Sequence, residues 1–230
     1  MRLQNIQLVH IILSNSRYMH ILLFSTQIIW HITASVDLTR LFIPTEVYLT
    51  STREHKMSHR LQLTHAPSVL FLFGLSGAGK SYVGDVIGAH DDWFVYHADD
   101  DLTDEMREVI GANKPFTDEM RDDFFIRISQ KVNHFRTLYP RVVVTQGAYK
   151  RQHRDFLRQN IADIDMIYVT ATDSLIHQRL EYRINGISNE SADAIKHIFE
   201  APDQTVKTIF NYEGKTSIIE QLNRFYSNIQ

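Results

Sequence analysis

Ser68–Ser81 reads S-V-L-F-L-F-G-L-S-G-A-G-K-S, and the interpretation of this segment decides the fold. Ser68–Phe73 is a short unbroken apolar run, the pattern of a strand covered on both faces. Gly74-Leu75-Ser76-Gly77-Ala78-Gly79-Lys80-Ser81 then fits the phosphate-loop pattern G-x-x-x-x-G-K-[ST]. Its glycines allow the backbone to wrap around phosphate oxygens with main-chain N–H groups pointing inward, and a helix starting at Lys80 brings its positive dipole end to the same spot. Gly74, Ser76, Gly77, Ala78 and Gly79 form the cradle. Lys80 is suited to the β and γ phosphates, and the Ser81 hydroxyl to Mg²⁺. A chance glycine turn would lack the buried strand before it and the helix after it. The segment therefore predicts a site for a nucleoside triphosphate.

Strand-like and helix-like runs alternate from there to the C-terminus. Trp93–His97 (WFVYH), Arg141–Thr145 (RVVVT), Asp165–Thr170 (DMIYVT) and Thr205–Phe210 read as strands. Lys80–Ala89, Asp104–Ile110, a longer run opened by Thr117, Lys150–Asn160, Asp173–Ile184, Ser191–Phe199 and Ser217–Phe225 read as helices, with a polar loop over Ile184–Glu190. In the run from Thr117, the residues Phe124, Phe125, Ile128, Val132 and Phe135 recur at helical spacing, a stripe that packs a core. Alternating strands and helices predict a three-layer α/β/α domain around a mostly parallel five-stranded sheet.

The average composition conceals a boundary. The 230 residues carry 24 Lys+Arg, 27 Asp+Glu and no Cys, with a formal net charge of −3. Without Cys, neither thiol catalysis, a Cys-ligated zinc site nor a disulfide framework is available. The weak net charge gives no reason to expect nucleic-acid binding. Eight charged residues lie in the first 56, against 43 in the remaining 174, and no glycine precedes Gly74. The expected division is an extension over 1–56 that does not belong to the fold and a phosphate-loop domain over 57–230. In the extension, the longest run without a charged residue or His is Ile21–Trp30, ten residues, about half of a membrane-spanning helix. No membrane association is expected, and the localisation read from these features is cytoplasmic. Four of the twelve His residues fall in that extension, and none of the twelve forms H-x-x-x-H or another metal spacing on a plausible helix. His97 is read as a hydrogen-bonded or core residue.

Binding a triphosphate leaves open where the phosphate goes. The base-reading N-K-x-D of GTPases is absent, and Val142-Val143-Val144-Thr145-Gln146 ends without the Asp-Glu of motor-type ATPases. The acids instead follow the second strand, at Asp99, Asp100 and Asp101. A carboxylate there suits a general base for an acceptor hydroxyl or a group on the magnesium side.

These features together resemble the small-molecule phosphotransferases of the gluconokinase and shikimate kinase group, most closely gluconokinase, over nearly all of 66–226. The phosphate loop is close to that family's, and adenylylsulfate kinases share nearly the same string. Ala98-Asp99-Asp100-Asp101-Leu102 falls on the family's D-G-D-x-L, which makes Asp100 the base-like aspartate. Ala98 stands where the family has its first aspartate, with Asp99 as the substitute on the metal side. Asn113–Arg121 resembles G-x-P-L-x-D-x-D-R, so Arg121 is implied as a ligand of the acceptor's anionic group, a task suited to a bidentate guanidinium. Gln146–Arg158 resembles C-S-A-L-K-R-x-Y-R-D-x-L-R. The resemblance implies that Gly147 approaches the acceptor and that Lys150 and Arg154 meet its charge. Gln178–Arg183 resembles E-R-L-x-x-R at the start of the lid, implying Arg179 near adenine and phosphates and Arg183 closing over the γ phosphate. Beyond it, Ile184–Glu190 departs from the basic, aromatic K-G-H-F-F.

The resemblance thus implies an ATP- and Mg²⁺-dependent kinase for a small hydroxylated metabolite, a sugar acid or similar, with a homodimer common among such proteins. Shikimate, a nucleoside or a polynucleotide 5′ hydroxyl are the alternative acceptors. Ala98 and the altered lid keep open a nucleotide-binding regulator that has lost catalysis. A chain starting at Met57 is expected to remain soluble and to bind nucleotide like the full chain. Aggregation of that shorter chain, measured by light scattering, would contradict the boundary.

Overall fold

The computed structural model describes residues 60–90, 92–112, 114–182 and 189–227. In chain order its elements are β1 (Val69–Phe73), α1 (Lys80–Gly88), β2 (Trp93–His97), a 3₁₀ turn (Ala98–Asp101), α2 (Asp104–Gly111), α3 (Asp118–Leu138), β3 (Arg141–Thr145), α4 (Arg151–Asn160), β4 (Ile164–Thr170), α5 (Asp173–Glu181), α6 (Asn189–Ile198), β5 (Thr208–Phe210) and α7 (Lys215–Tyr226). The five strands form one sheet in the order β2-β3-β1-β4-β5, and every pairing is parallel. The expectation of a mostly parallel sheet is met by an entirely parallel one.

β1 holds the centre. Val69 pairs with Val142 on one side and with Ile164 on the other, and all five residues of β1 are fully buried. That is why the segment is apolar without alternation: both faces are covered. Alternate side chains feed two cores. Leu70 and Leu72 join Val83, Ile87, Ile218 and Leu222 under α1 and α7. Val69, Phe71 and Phe73 join Phe124, Phe125, Ile128, Val132 and Leu157 under α3 and α4. The stripe foreseen on α3 is therefore core packing, with Phe135 packed half-buried at its far end.

The helix starts follow local chemistry. Thr103, Thr117 and Thr172 sit at the N-caps of α2, α3 and α5, each side chain accepting from a backbone N–H one turn on. For α5 the cap is Thr172; Asp173, one residue later, supplies first-turn charge. Several element ends differ from the sequence reading. β5 begins at Thr208 instead of Thr205, because Asp203 and Thr205 form a turn, the Asp203 carboxylate accepting from the Thr205 N–H at 3.0 Å. α6 begins at Asn189 instead of Ser191. α5 ends at Glu181; Arg183, Asn113, residues 1–59 and most of the loop read from Ile184 lie outside the described residues. α5 and α6 pack through Ile176, Leu180 and Ala192. Among the described residues, no helix is long and apolar enough to cross a membrane.

The chain ahead of β1 is joined to the domain from Arg60 onward. Leu61 and Leu63 are buried, the Leu63 carbonyl accepts from Arg141 Nη1 at 2.9 Å, and the Asn223 side chain bonds the Arg60 carbonyl and the Gln62 N–H. Phe71→Ala should cost about 3–5 kcal/mol, the range for emptying a closed aromatic site in a core. Urea unfolding of this variant against the native chain measures that loss.

Candidate active site

The loop after β1 runs along the C-terminal edge of the sheet, where open α/β sheets hold their ligands. Its shape depends on Gly74. With φ 146°, Gly74 passes so close to β4 that a Cβ would lie 2.1 Å from the Val169 carbonyl oxygen. Gly79, with φ 91°, ends the loop just as tightly, a Cβ there falling 2.0 Å from Asn211 Nδ2. Both positions admit only glycine. Lys80 folds back over the loop, its Nζ donating to the Gly74 and Leu75 carbonyls at 3.0 Å each. Ser81, in the first turn of α1, is exposed.

The outer carbonyls of the loop are held by two residues from distant elements. Asn211, after β5 and 1% exposed, donates from Nδ2 to the Ala78 carbonyl at 2.9 Å. Its backbone N–H donates to Thr170 at 2.8 Å. Arg179, on α5, donates from Nη1 to the Gly77 and Ala78 carbonyls at 3.3 and 3.2 Å and from Nη2 to the Asn211 carbonyl at 2.9 Å. Burial lowers the pKa of the Arg179 guanidinium, and these carbonyls compensate its charge. The resemblance put Arg179 beside adenine and phosphates; the structure shows its fork on the backbone of the phosphate loop itself. Asn211 was not foreseen, since a lone Asn after a three-residue strand carries no sequence signal.

The three acids after β2 separate into two kinds. Asp101 is structural. Tyr96 donates to it at 2.5 Å and Lys131 forms an ion pair with it. Burial alone would raise the Asp101 carboxyl, but its hydrogen bonds from Lys131 and Tyr96 outweigh that and lower it. Asp99 and Asp100 are exposed. Asp99 Oδ1 accepts from Gln146 Nε2 at 3.0 Å, and Arg107 Nη2 holds the Asp100 backbone carbonyl at 2.9 Å. His97 bridges β3 and α1 through Thr145 Oγ1 at 2.9 Å and Asp85 Oδ1 at 3.2 Å, the hydrogen-bonded role read for it.

A second charged group forms where α3 starts and α4 begins. Lys150 and Arg121 both reach Asp118 Oδ1, Arg121 at 3.3 Å. The Lys150 ammonium, chiefly, and then Arg121 hold the Asp118 carboxyl below its ordinary range. One turn on, Asp122 accepts from buried His153 at 2.7 Å, whose ring stacks on Phe125 at 4.4 Å. Burial lowers the His153 pKa, with Asp122 opposing. Two of the cations assigned to the acceptor thus converge on one carboxylate, and Asp118 was missed because it reads as an ordinary first-turn acid.

Arg154 departs from its expected place. It is 2% exposed and lies over the Phe73 ring at 4.9 Å. Its Nη1 donates to the Ala148 and Tyr149 carbonyls at 2.8 and 2.9 Å, and its Nη2 to the Glu200 carbonyl at 2.7 Å. A guanidinium committed to three carbonyls shapes the 147–150 loop from behind. Gly147, the other residue expected near the acceptor, is buried in that loop, with its N–H donating to the Gln146 side chain.

No model of a known protein family matches the chain. A probable gluconokinase of Mus musculus is 32% identical over 98 residues, covering 43% of this chain and 53% of that protein. A probable gluconokinase of Dictyostelium discoideum is 24% identical over 151 residues, covering 63% and 76%. The chain thus spans about half the length of its mammalian relatives in these matches. Among solved structures, a gluconokinase from Sinorhizobium meliloti aligns with a TM-score of 0.60 at 22% identity, over 72% of this chain and 97% of that one. A sugar kinase from a Janibacter species aligns with a TM-score of 0.61 at 19% identity, over 69% and 93%.

Asn211→Ala would leave the Ala78 carbonyl short of a buried donor, at a cost of about 1–3 kcal/mol. It should also weaken nucleotide binding. Thermal unfolding with and without nucleotide reads both effects. In fold the chain is a phosphate-loop α/β protein like these sugar kinases, and in sequence it resembles gluconokinases.

Proposed function

We propose that the protein is an ATP-dependent kinase that moves the γ phosphate to a hydroxyl of a small anionic metabolite, a sugar acid. The observation that carries this reading is the convergence of Arg121 and Lys150 on Asp118. Two cations gathered at one point suit a carboxylate-bearing acceptor better than a neutral one. Asp118 is the counter-ion they share in its absence.

Each step then has a residue. The loop 74–81 and Lys80 hold the phosphates, with Lys80 exchanging the Gly74 and Leu75 carbonyls for phosphate oxygens. Asp100 accepts the proton of the attacking hydroxyl. Arg121 and Lys150 orient the acceptor's anionic group, so that positioning and electrostatics carry the transfer. Arg179 and Arg154 act on this machinery through the backbone they grip. Arg183 remains the proposed clamp over the γ phosphate.

Magnesium fits the residues present. Ser81 Oγ and Asp99 are hard oxygen donors, and the described residues contain no group of three His, Cys, Asp or Glu that could hold a metal alone. Such a site suits an ion brought in with the nucleotide, held by Ser81 and by Asp99 from the acid-bearing turn. When bound, it neutralises charge on the phosphates.

The test is ADP release with a panel of sugar acids, shikimate and nucleosides. Turnover is expected with a sugar acid, and tight ATP binding with no turnover on any acceptor would favour a regulator. Lys80→Ala should lower kcat by about 10²–10³, the scale of one lost electrostatic contact to the transition state. Asp100→Asn should lower it by about 10²–10⁴, the scale of a general base.

A further inference from the structure

Tyr149 occupies a junction that the reading above does not use. Its hydroxyl lies 3.3 Å from Ser76 Oγ, in the phosphate loop. The next residue is Lys150, on the acceptor side. The ring also packs edge-on to Phe199 at 6.3 Å. The backbone beneath it is pinned, since the Tyr149 carbonyl accepts from the Glu200 N–H at 3.0 Å and from Arg154 Nη1 at 2.9 Å. Gly147 makes room for the side chain: a Cβ there would lie 2.6 Å from the phenol oxygen and 2.6 Å from Cζ of Tyr149. A real Cβ does not approach that closely, so any larger residue at 147 would push the Tyr149 ring aside from Ser76. The two positions act as a pair, and the pair gives the loop that carries Lys150 a direct hydrogen bond to the loop that would hold the phosphates.

We propose that Tyr149 is a specificity-determining positioning residue: through Ser76, it sets the acceptor-side loop 147–150 in register with an occupied phosphate loop. The proposal rests on the kinase reading and adds to it a residue that links the two substrate sites. A phenol oxygen can both donate and accept, so it can follow Ser76 when nucleotide arrives, whereas a phenylalanine cannot.

Tyr149→Phe in the full chain tests this, with two readouts. The first is hydrogen exchange of the backbone amides of 147–151 with and without a non-hydrolysable ATP analogue. The analogue should slow exchange there in the native chain and leave it largely unchanged in Y149F. The second is steady-state kinetics with the best acceptor of the panel. Acceptor KM should rise about three- to tenfold in Y149F, the worth of one neutral hydrogen bond, while the analogue's Kd moves less than twofold. Gly147→Ala alone should raise acceptor KM at least as much by displacing the ring, and should add less than twofold in a Tyr149→Leu background. Equal KM or equal protection in Y149F and the native chain overturns the proposal. If the native chain binds no analogue, the kinase reading and this proposal fall together. If it binds and Y149F protects loop 147–151 as well as the native chain does, only the proposal fails.

Discussion

The geometry of the site depends on one close approach. At the end of β1 the backbone passes the Val169 carbonyl at a distance that excludes any side-chain atom on Gly74. This contact lets the central strand turn into the phosphate loop without spreading β1 from β4. Both neighbours of β1 remain paired up to Leu72, so the loop emerges from a strand held on both sides. Everything that meets the loop later, from α5, from β5 and from the segment after β3, is built against a fixed edge.

Around that edge, backbone carbonyls are gripped by buried Arg154 and Asn211 and by half-buried Arg179. Arg154 and Arg179 are both long side chains with lowered pKa values from burial, and both are committed to main-chain oxygens. A guanidinium presents five donors in a rigid fork, so one residue can satisfy several carbonyls that no ladder or helix would reach. Arg154 fixes the backbone of 148 and 149 from below, and Arg179 fixes 77 and 78 from outside. Asp99, Asp100 and Ser81, proposed above as ion ligands and proton acceptor, are by contrast exposed.

How much of this the sequence revealed depended on how local the signal was. The order of strands and helices, the central position of β1 and the two-sided burial of Leu70 and Phe71 follow from periodicity within short windows. The phosphate loop was legible for the same reason: its glycines, Lys80 and Ser81 are consecutive. Arg154, which the resemblance places at the acceptor's charge, lies over Phe73 on three backbone carbonyls, a position that only the fold reveals. Asn211 carried no signal, since the loop carbonyl that it holds lies far away in sequence, and Asp118 read as a first-turn acid because Lys150, 32 residues on, is brought to it only by the fold. The Gly147–Tyr149 pair lay in plain view, but its meaning needs the distance to Ser76.

The strand order also sets when the site can come into being. β1 is made early, yet Val69 pairs with Val142 and Ile164, and Gly79 is backed by Asn211. A growing chain holds the phosphate-loop residues long before it holds anything to shape them, and parallel pairings across such separations close slowly because their loop entropy comes first. Nucleotide cannot then serve as an early template for folding. A nucleotide bound as proposed would favour only the finished sheet, by mass action on the native state, and would so guard the completed protein against unfolding.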